Sequence, residues 1–220
     1  MPLSKFEKFL PWTGLIAGFC WIGRFFLGKV TDKDEPGAAS AVFINDHLGL
    51  NYGDQACLVV MGIALLFFAT AVRNLLRSGE AREATYSNIA FAGWIVVVAA
   101  LSQMVMWGWA LINGAADAND ETAVHILGYG YYFTWAGMGI GLSTALIALG
   151  LGGVRNAVLP KWFAIVSIVL GVLGALGDAG IPPGGLVNYL LLPVWLIVAS
   201  FILARRQRKA AATERVLAPA

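Results

Sequence analysis

The chain is predicted to be an all-α polytopic membrane protein, with six transmembrane helices in one antiparallel bundle and both termini cytoplasmic. Three observations carry that expectation. Apolar residues make up 59% of the 220 and charged residues 13%, and the mean hydropathy is +0.73, outside the balance of a soluble globular domain. The apolar residues gather into six segments, each long enough for a hydrocarbon core of about 30 Å, and they run continuously where barrel strands would alternate. Lys and Arg concentrate at every second connection and at the two chain ends, as they do on cytoplasmic loops.

The first span, 9–28, follows Lys5 and Lys8 and contains Arg24 but no convincing small-x-small cleavage site, so it reads as a retained helix rather than a removed signal. The longest connection, 29–54, is KVTDKDEPGAASAVFINDHLGLNYGD. Pro36 after two acids marks a helix start there, and Ala39, Val42 and Phe43 suit a short amphipathic turn. Two readings of it stay open, a cap over the outer mouth of the bundle or a solvated loop. The second and third spans cover 55–76 and 88–113, with Arg73, Arg77 and Arg82 around the connection between them.

The fourth span, 124–150, has two stripes at helical spacing. Gly130, Thr134, Gly137, Gly141, Thr144 and Ala148 form a small-residue face suited to close helix packing. His125, Tyr129, Tyr132, Ala136, Gly139 and Ser143 form the other, with three polar tips in its outer half. Arg155 and Lys161 flank the next connection, and the fifth span covers 160–177. The sixth, 186–204, carries Pro193 near its middle, where a missing backbone donor should bend the helix. Residues 1–204 thus form a single transmembrane domain. The remainder, 205–220, is RRQRKAAATERVLAPA, a basic, solvated cytoplasmic tail.

The opposite connections hold Lys29 and Lys33 against Asp32, Asp34, Glu35, Asp46, Asp54, Asp117, Asp120, Glu121 and Asp178. The net charge of +2 is therefore the sum of two polarised faces and gives no reason to expect a nucleic-acid partner. Cys20 and Cys57 both fall in predicted helices, either as two apolar thiols or as a disulfide between the first two spans.

The stretch SIVLGVLGALGDAG, from Ser167, places a carboxylate where an apolar run ends. Ala164, Ser167, Gly171, Gly174 and Asp178 share one helical face, and Thr13, Ala17, Cys20 and Arg24 share one on the first span. Ionised groups within a membrane turn inward and pair. Arg24 is accordingly expected to meet Asp178 beneath the outer surface, with Asp54 as the competing partner. Gln103, His125, Tyr129, Tyr132 and Asn188 fall near that level and complete a candidate outward-facing pocket. The plainer alternative has Arg24 reaching to the headgroups and Asp178 only opening a loop.

Several chemistries lack their residues. His47 and His125 are the only histidines, one in a loop and one at a helix start, so a haem held between two histidines is not expected. No His, Cys, Asp or Glu group has metal-ligand spacing, and phosphate loops and nucleophile elbows are missing, so no metal or cofactor is expected.

The segments LLFFATAVRNLLRSGE, LPKWFAIVSIVLGVLGALG and LLLPVWLIVASFILARRQ resemble those of a broad group of actinobacterial six-span membrane proteins, similar to bacterial families of unknown function. The resemblance covers most of 42–207 and implies a bacterial plasma membrane; it brings no activity, cofactor or catalytic residue. The expected function is a non-enzymatic binding or accessory protein whose partners are membrane lipids, a lipophilic small molecule or other membrane subunits. The alternatives are a small transporter, or a membrane-embedded enzyme acting on a lipid or isoprenoid with Asp178 and His125 as acid and base and Arg24 as anion holder.

Overall fold

The computed structural model describes residues 4–28, 37–81, 83–182 and 184–217, with side chains described except in 184–187 and 210–217. Pro36, the lysines and acids just before it, and Arg82 lie outside the described residues.

The described residues are helical apart from short connections, with no strand among them. Helix α1 (Lys5–Phe9) begins at a capping box, in which Glu7 N donates to Ser4 Oγ at 3.1 Å and Ser4 N donates to Glu7 Oε2 at 2.7 Å. A 3-10 turn (Leu10–Trp12) leads directly into α2 (Thr13–Leu27). Then come α3 (Gly37–Asp46), α4 (Leu48–Gly79), α5 (Thr85–Ala110), α6 (Glu121–Arg155), α7 (Lys161–Asp178) and α8 (Gly184–Leu217). Six helical segments are long and apolar enough to cross a membrane: Lys5–Leu27, Leu48–Gly79, Thr85–Ala116, Glu121–Arg155, Lys161–Asp178 and Asn188–Lys209.

Each predicted span has its helix, but two boundaries move. The second helix starts at Leu48, not 55, so much of the predicted outer connection is helical. The basic segment from 205, expected as a tail, continues α8 as helix to Leu217.

Packing joins the helices in a closed ring, α2 to α4, then α5, α6, α7 and α8, and α8 back to α2. Small residues set the closest contacts. A methyl group on Gly93 of α5 would fall 2.6 Å from Ala145 N and from Gly141 O of α6, so these backbones touch, as the fourth span's small-residue stripe predicts. The fifth span's small face likewise packs on α6: a Cβ at Gly171 would lie 3.0 Å from Ser143 O.

Aromatic rings fill the middle. Phe163 stacks on Trp195 at 5.4 Å, Trp195 lies 6.0 Å from Trp94, and Phe68 meets both tryptophans edge-on. Trp195 Nε1 donates to Ser167 Oγ at 3.0 Å. At one end Gln207 Nε2 of α8 donates to Glu7 O at 2.8 Å, which puts the start of α1 and the far part of α8 on the same side of the bundle.

At the opposite end α3 packs across α6 and the π-helical turn Leu111–Ala116 that extends α5. Asn45 Nδ2 donates to Ala116 O at 2.9 Å, and Tyr52 OH donates to Asn113 Oδ1 at 2.7 Å. Of the two readings of the 29–54 connection, the described part is the cap.

Candidate functional site

The predicted polar residues separate into three groups. The first surrounds Arg24. Its Nε donates to Asp54 Oδ1 at 2.7 Å, and its Nη2 donates to Asp54 Oδ2 at 3.3 Å and to Tyr131 OH at 3.0 Å. The Tyr131 hydroxyl in turn donates to Asp54 Oδ2. This fork-on-carboxylate pair is well enclosed, with side-chain exposures of 11% for Arg24 and 3% for Asp54. Ile44 of the cap, Asn51, Gln55, Leu111 and Ile112 close around it and leave about 10 Å³ of free space. That space has room for no more than about one water.

The expected ion pair between Arg24 and Asp178 is therefore corrected: Asp54 is the partner. The physical reason is depth. Helix α7 is short and ends where Asp178 lies against Gly139 of α6, whereas Arg24 reaches Tyr131. At 1.5 Å per residue those two levels on α6 differ by about 12 Å.

The second group lies where α6, α7 and α8 meet. A Cβ at Gly139 would fall about 2 Å from the Asp178 carboxylate, and one at Gly174 would fall 2.2 Å from Asn188 Nδ2 and 2.8 Å from Ser143 Oγ. Glycines on both helices thus create the space in which these polar groups sit. Ser143 and Asn188 are 5% and 7% exposed. Ser143 Oγ, Asn188 Nδ2, Asn188 Oδ1 and Asp178 Oδ2 are all buried with no hydrogen-bond partner. Four such atoms together are costly, since each forgoes its bond to water.

Asp178 and Ser143 of this group, but not Asn188, line a groove of about 520 Å³ on the outer surface of α6, walled by α5 and α7. Its floor is Ile140, Ser143, Thr144, Ile147, Ala148 and Leu151. Asp178 stands at one end and Tyr86 at the other, where Arg155 Nη1 donates to the Tyr86 hydroxyl at 3.2 Å. The exposed Ile140, Ile89 and Leu151 mark it as a lipid-facing surface of the ring.

The third group faces outward. His125 Nε2 and Tyr129 OH are 3.1 Å apart in an exposed edge-on pair, Tyr132 is half exposed, and Gln103 is exposed. These four belong to neither cluster. They lie on helix faces, or at levels of α6 beyond the end of α7, that no described helix covers.

Sequence reasoning missed Tyr131 and Gln55 as members of the first cluster and Ser143 as a member of the second. Tyr131 is three residues before Thr134, so its position on the packing side of α6 was readable. Ser143 continues the polar stripe that contains Tyr132 and Gly139. Among the described residues no group of His, Cys, Asp or Glu could hold a metal ion.

Comparison with known proteins gives no match to a family model, to a curated protein or to a solved structure.

Proposed function

We propose that this multi-pass membrane protein binds a lipophilic molecule in the groove between α5, α6 and α7, with Asp178 and Ser143 receiving its polar end. The carrying observation is the coincidence of a 520 Å³ apolar groove with buried polar atoms that have no partner. Its size falls within the range of about 300–1,000 Å³ typical of small-molecule sites, and its pattern of apolar walls with few polar anchors is also theirs. Binding alone accounts for the arrangement. Asp178 lines the groove, but His125, its expected acid–base partner, pairs with Tyr129 outside it, and Arg24, the candidate anion holder, is engaged by Asp54.

Basic residues support an orientation with both termini in the cytoplasm of a bacterial plasma membrane. Lys5, Lys8, Arg73, Arg77, Arg155, Lys161 and Arg205 belong to the ends and connections on the Glu7–Gln207 side. The groove then opens in the membrane with Asp178 toward the outer leaflet.

A photo-crosslinking residue tests the reading. Placed at Ile140 in the groove it should capture a discrete lipophilic adduct from the native membrane, resolved by mass spectrometry of the purified protein. Placed at Ile63, an exposed position on α4, it should capture only the bulk phospholipid mixture. Identical adduct patterns at both positions would show that the groove is ordinary lipid-facing surface.

A further inference from the structure

The electrostatics of the groove specify the charge of its occupant; this rests on the groove being the binding site. Asp178 is the last residue of α7. The end of that helix is closed by bonds from Ile181 N to Leu176 O at 2.9 Å and from Gly180 N to Gly177 O at 2.9 Å, with Gly180 at φ 75°. This is a Schellman closure, and the left-handed residue it needs is a glycine. A helix C-terminus carries about half a negative charge, which adds to that of the carboxylate. Asp178, at that helix end, lines one end of the groove.

Among the described residues no Lys or Arg lines the groove, and Asp178 Oδ2 is buried without a hydrogen-bond partner. Arg24, the nearest arginine in the sequence-based expectation, is held by Asp54 about 12 Å away along α6. Arg155 lies at the Tyr86 end, beyond the length of the groove. Ser143 Oγ supplies a neutral acceptor on the same lining as the carboxylate.

We infer that the groove selects an amphiphile with a single ammonium head and no anionic group. The ammonium sits against Asp178 and Ser143, and its alkyl portion lies along Ile140, Thr144, Ile147 and Leu151. A phospholipid does not fit this end, because its phosphate would face the carboxylate and the helix C-terminus with no cation beside it. A neutral lipophile leaves the carboxylate unpaired in an apolar wall, and a fatty acid adds repulsion.

Three dansyl probes of equal chain length test this on the full-length protein in nanodiscs: a dimethylalkylamine, an alcohol and a carboxylic acid. The amine should bind about tenfold or more tightly than the alcohol, as a charge-assisted bond warrants, and the acid most weakly. Asp178→Asn should bring amine and alcohol to within about twofold of each other by removing the amine's advantage, while Asp178→Glu keeps the preference. Size-exclusion profiles establish that both variants fold. Equal binding of amine and alcohol to the wild type, an unchanged preference in Asp178→Asn, or displacement of the amine by phosphatidylethanolamine would each overturn the ammonium assignment. Capture of the alcohol probe at a photo-crosslinking Ile140 with no amine preference would overturn that assignment but leave the groove as a binding site. No capture of any probe at Ile140 would overturn both.

Discussion

Asp54→Asn and Asp178→Asn remove the same charge from two acids, and the structure predicts opposite consequences. Asp54 is 3% exposed and accepts two bonds from Arg24 and one from Tyr131. Neutralising it leaves the guanidinium enclosed without a counter-ion, which costs about 3–5 kcal/mol for a buried pair broken from one side. Tyr131→Phe removes a hydroxyl that accepts from Arg24 and donates to Asp54, a loss of about 1.5–3 kcal/mol for bonds to charged groups. Because the two changes act on one network, the double variant should fall short of their sum by about 0.5–3 kcal/mol. Asp178 has no partner to lose, so Asp178→Asn in ligand-free protein should be neutral or stabilising. The assay is unfolding in mixed micelles by graded denaturing detergent, followed by far-UV circular dichroism. If Asp178→Asn proved the more damaging of the two, Asp178 would have to be paired, and the assignment of Asp54 as the partner of Arg24 would fail.

Three other consequences are independent of that cluster. Gly93→Leu should weaken the α5–α6 contact by at least about 1–3 kcal/mol, since even the first added carbon would overlap Ala145 N and Gly141 O, whereas Gly128→Leu meets open space and should be near neutral; the same unfolding titration compares them. Cys20 and Cys57 are free thiols in side-chain contact with one another, so mild copper–phenanthroline oxidation should join them within one chain, read as lost maleimide labelling with unchanged monomer mass; intermolecular dimers alone would contradict their proximity. With reporters fused after Ala118 and Ala220, activity of a cytoplasmic reporter only at Ala220 fits the proposed orientation, and the reverse would invert it.

Length, composition and spacing made the ring of helices legible. The Gly93 and Gly141 contact follows from stripes of small residues at steps of three and four. The helix-start signal at Pro36 gives a helix in the long connection but left cap and solvated loop both open, and the face that α3 buries is Ser40, Ala41 and Ile44 rather than the expected Ala39, Val42 and Phe43. Partner choice was less legible, because it depends on how far each helix extends. The predicted fifth span, 160–177, is already shorter than the fourth, 124–150, and the difference widens in the structure, where α7 has 18 residues against 35 in α6. A linear pattern gives the face of a helix and not the level at which its neighbour stops. The same shortness of α7 explains why Gly139 and Ser143 are buried while Tyr132, on the same stripe, is exposed.

Depth also separates the two acids in what they do. Measured from Arg155 at 1.5 Å per residue, Gly139 lies about 24 Å along α6 and Tyr131 about 36 Å. With Arg155 at one edge of a hydrocarbon core of about 30 Å, the Arg24–Asp54–Tyr131 network stands at the far rim and Asp178 beneath it. At the rim water could have met part of the cost of each charge, yet there the chain supplies a full set of partners and a cap. Beneath it, about 6 Å inside that rim, the chain supplies glycines that make room and leaves Asp178 Oδ2 buried without a hydrogen-bond partner. A fold can lower its free energy by replacing such a carboxylate with a neutral residue of similar size. Keeping it is consistent with a group whose partner arrives from the membrane, and occupancy then returns stability in proportion to the logarithm of ligand concentration over its dissociation constant.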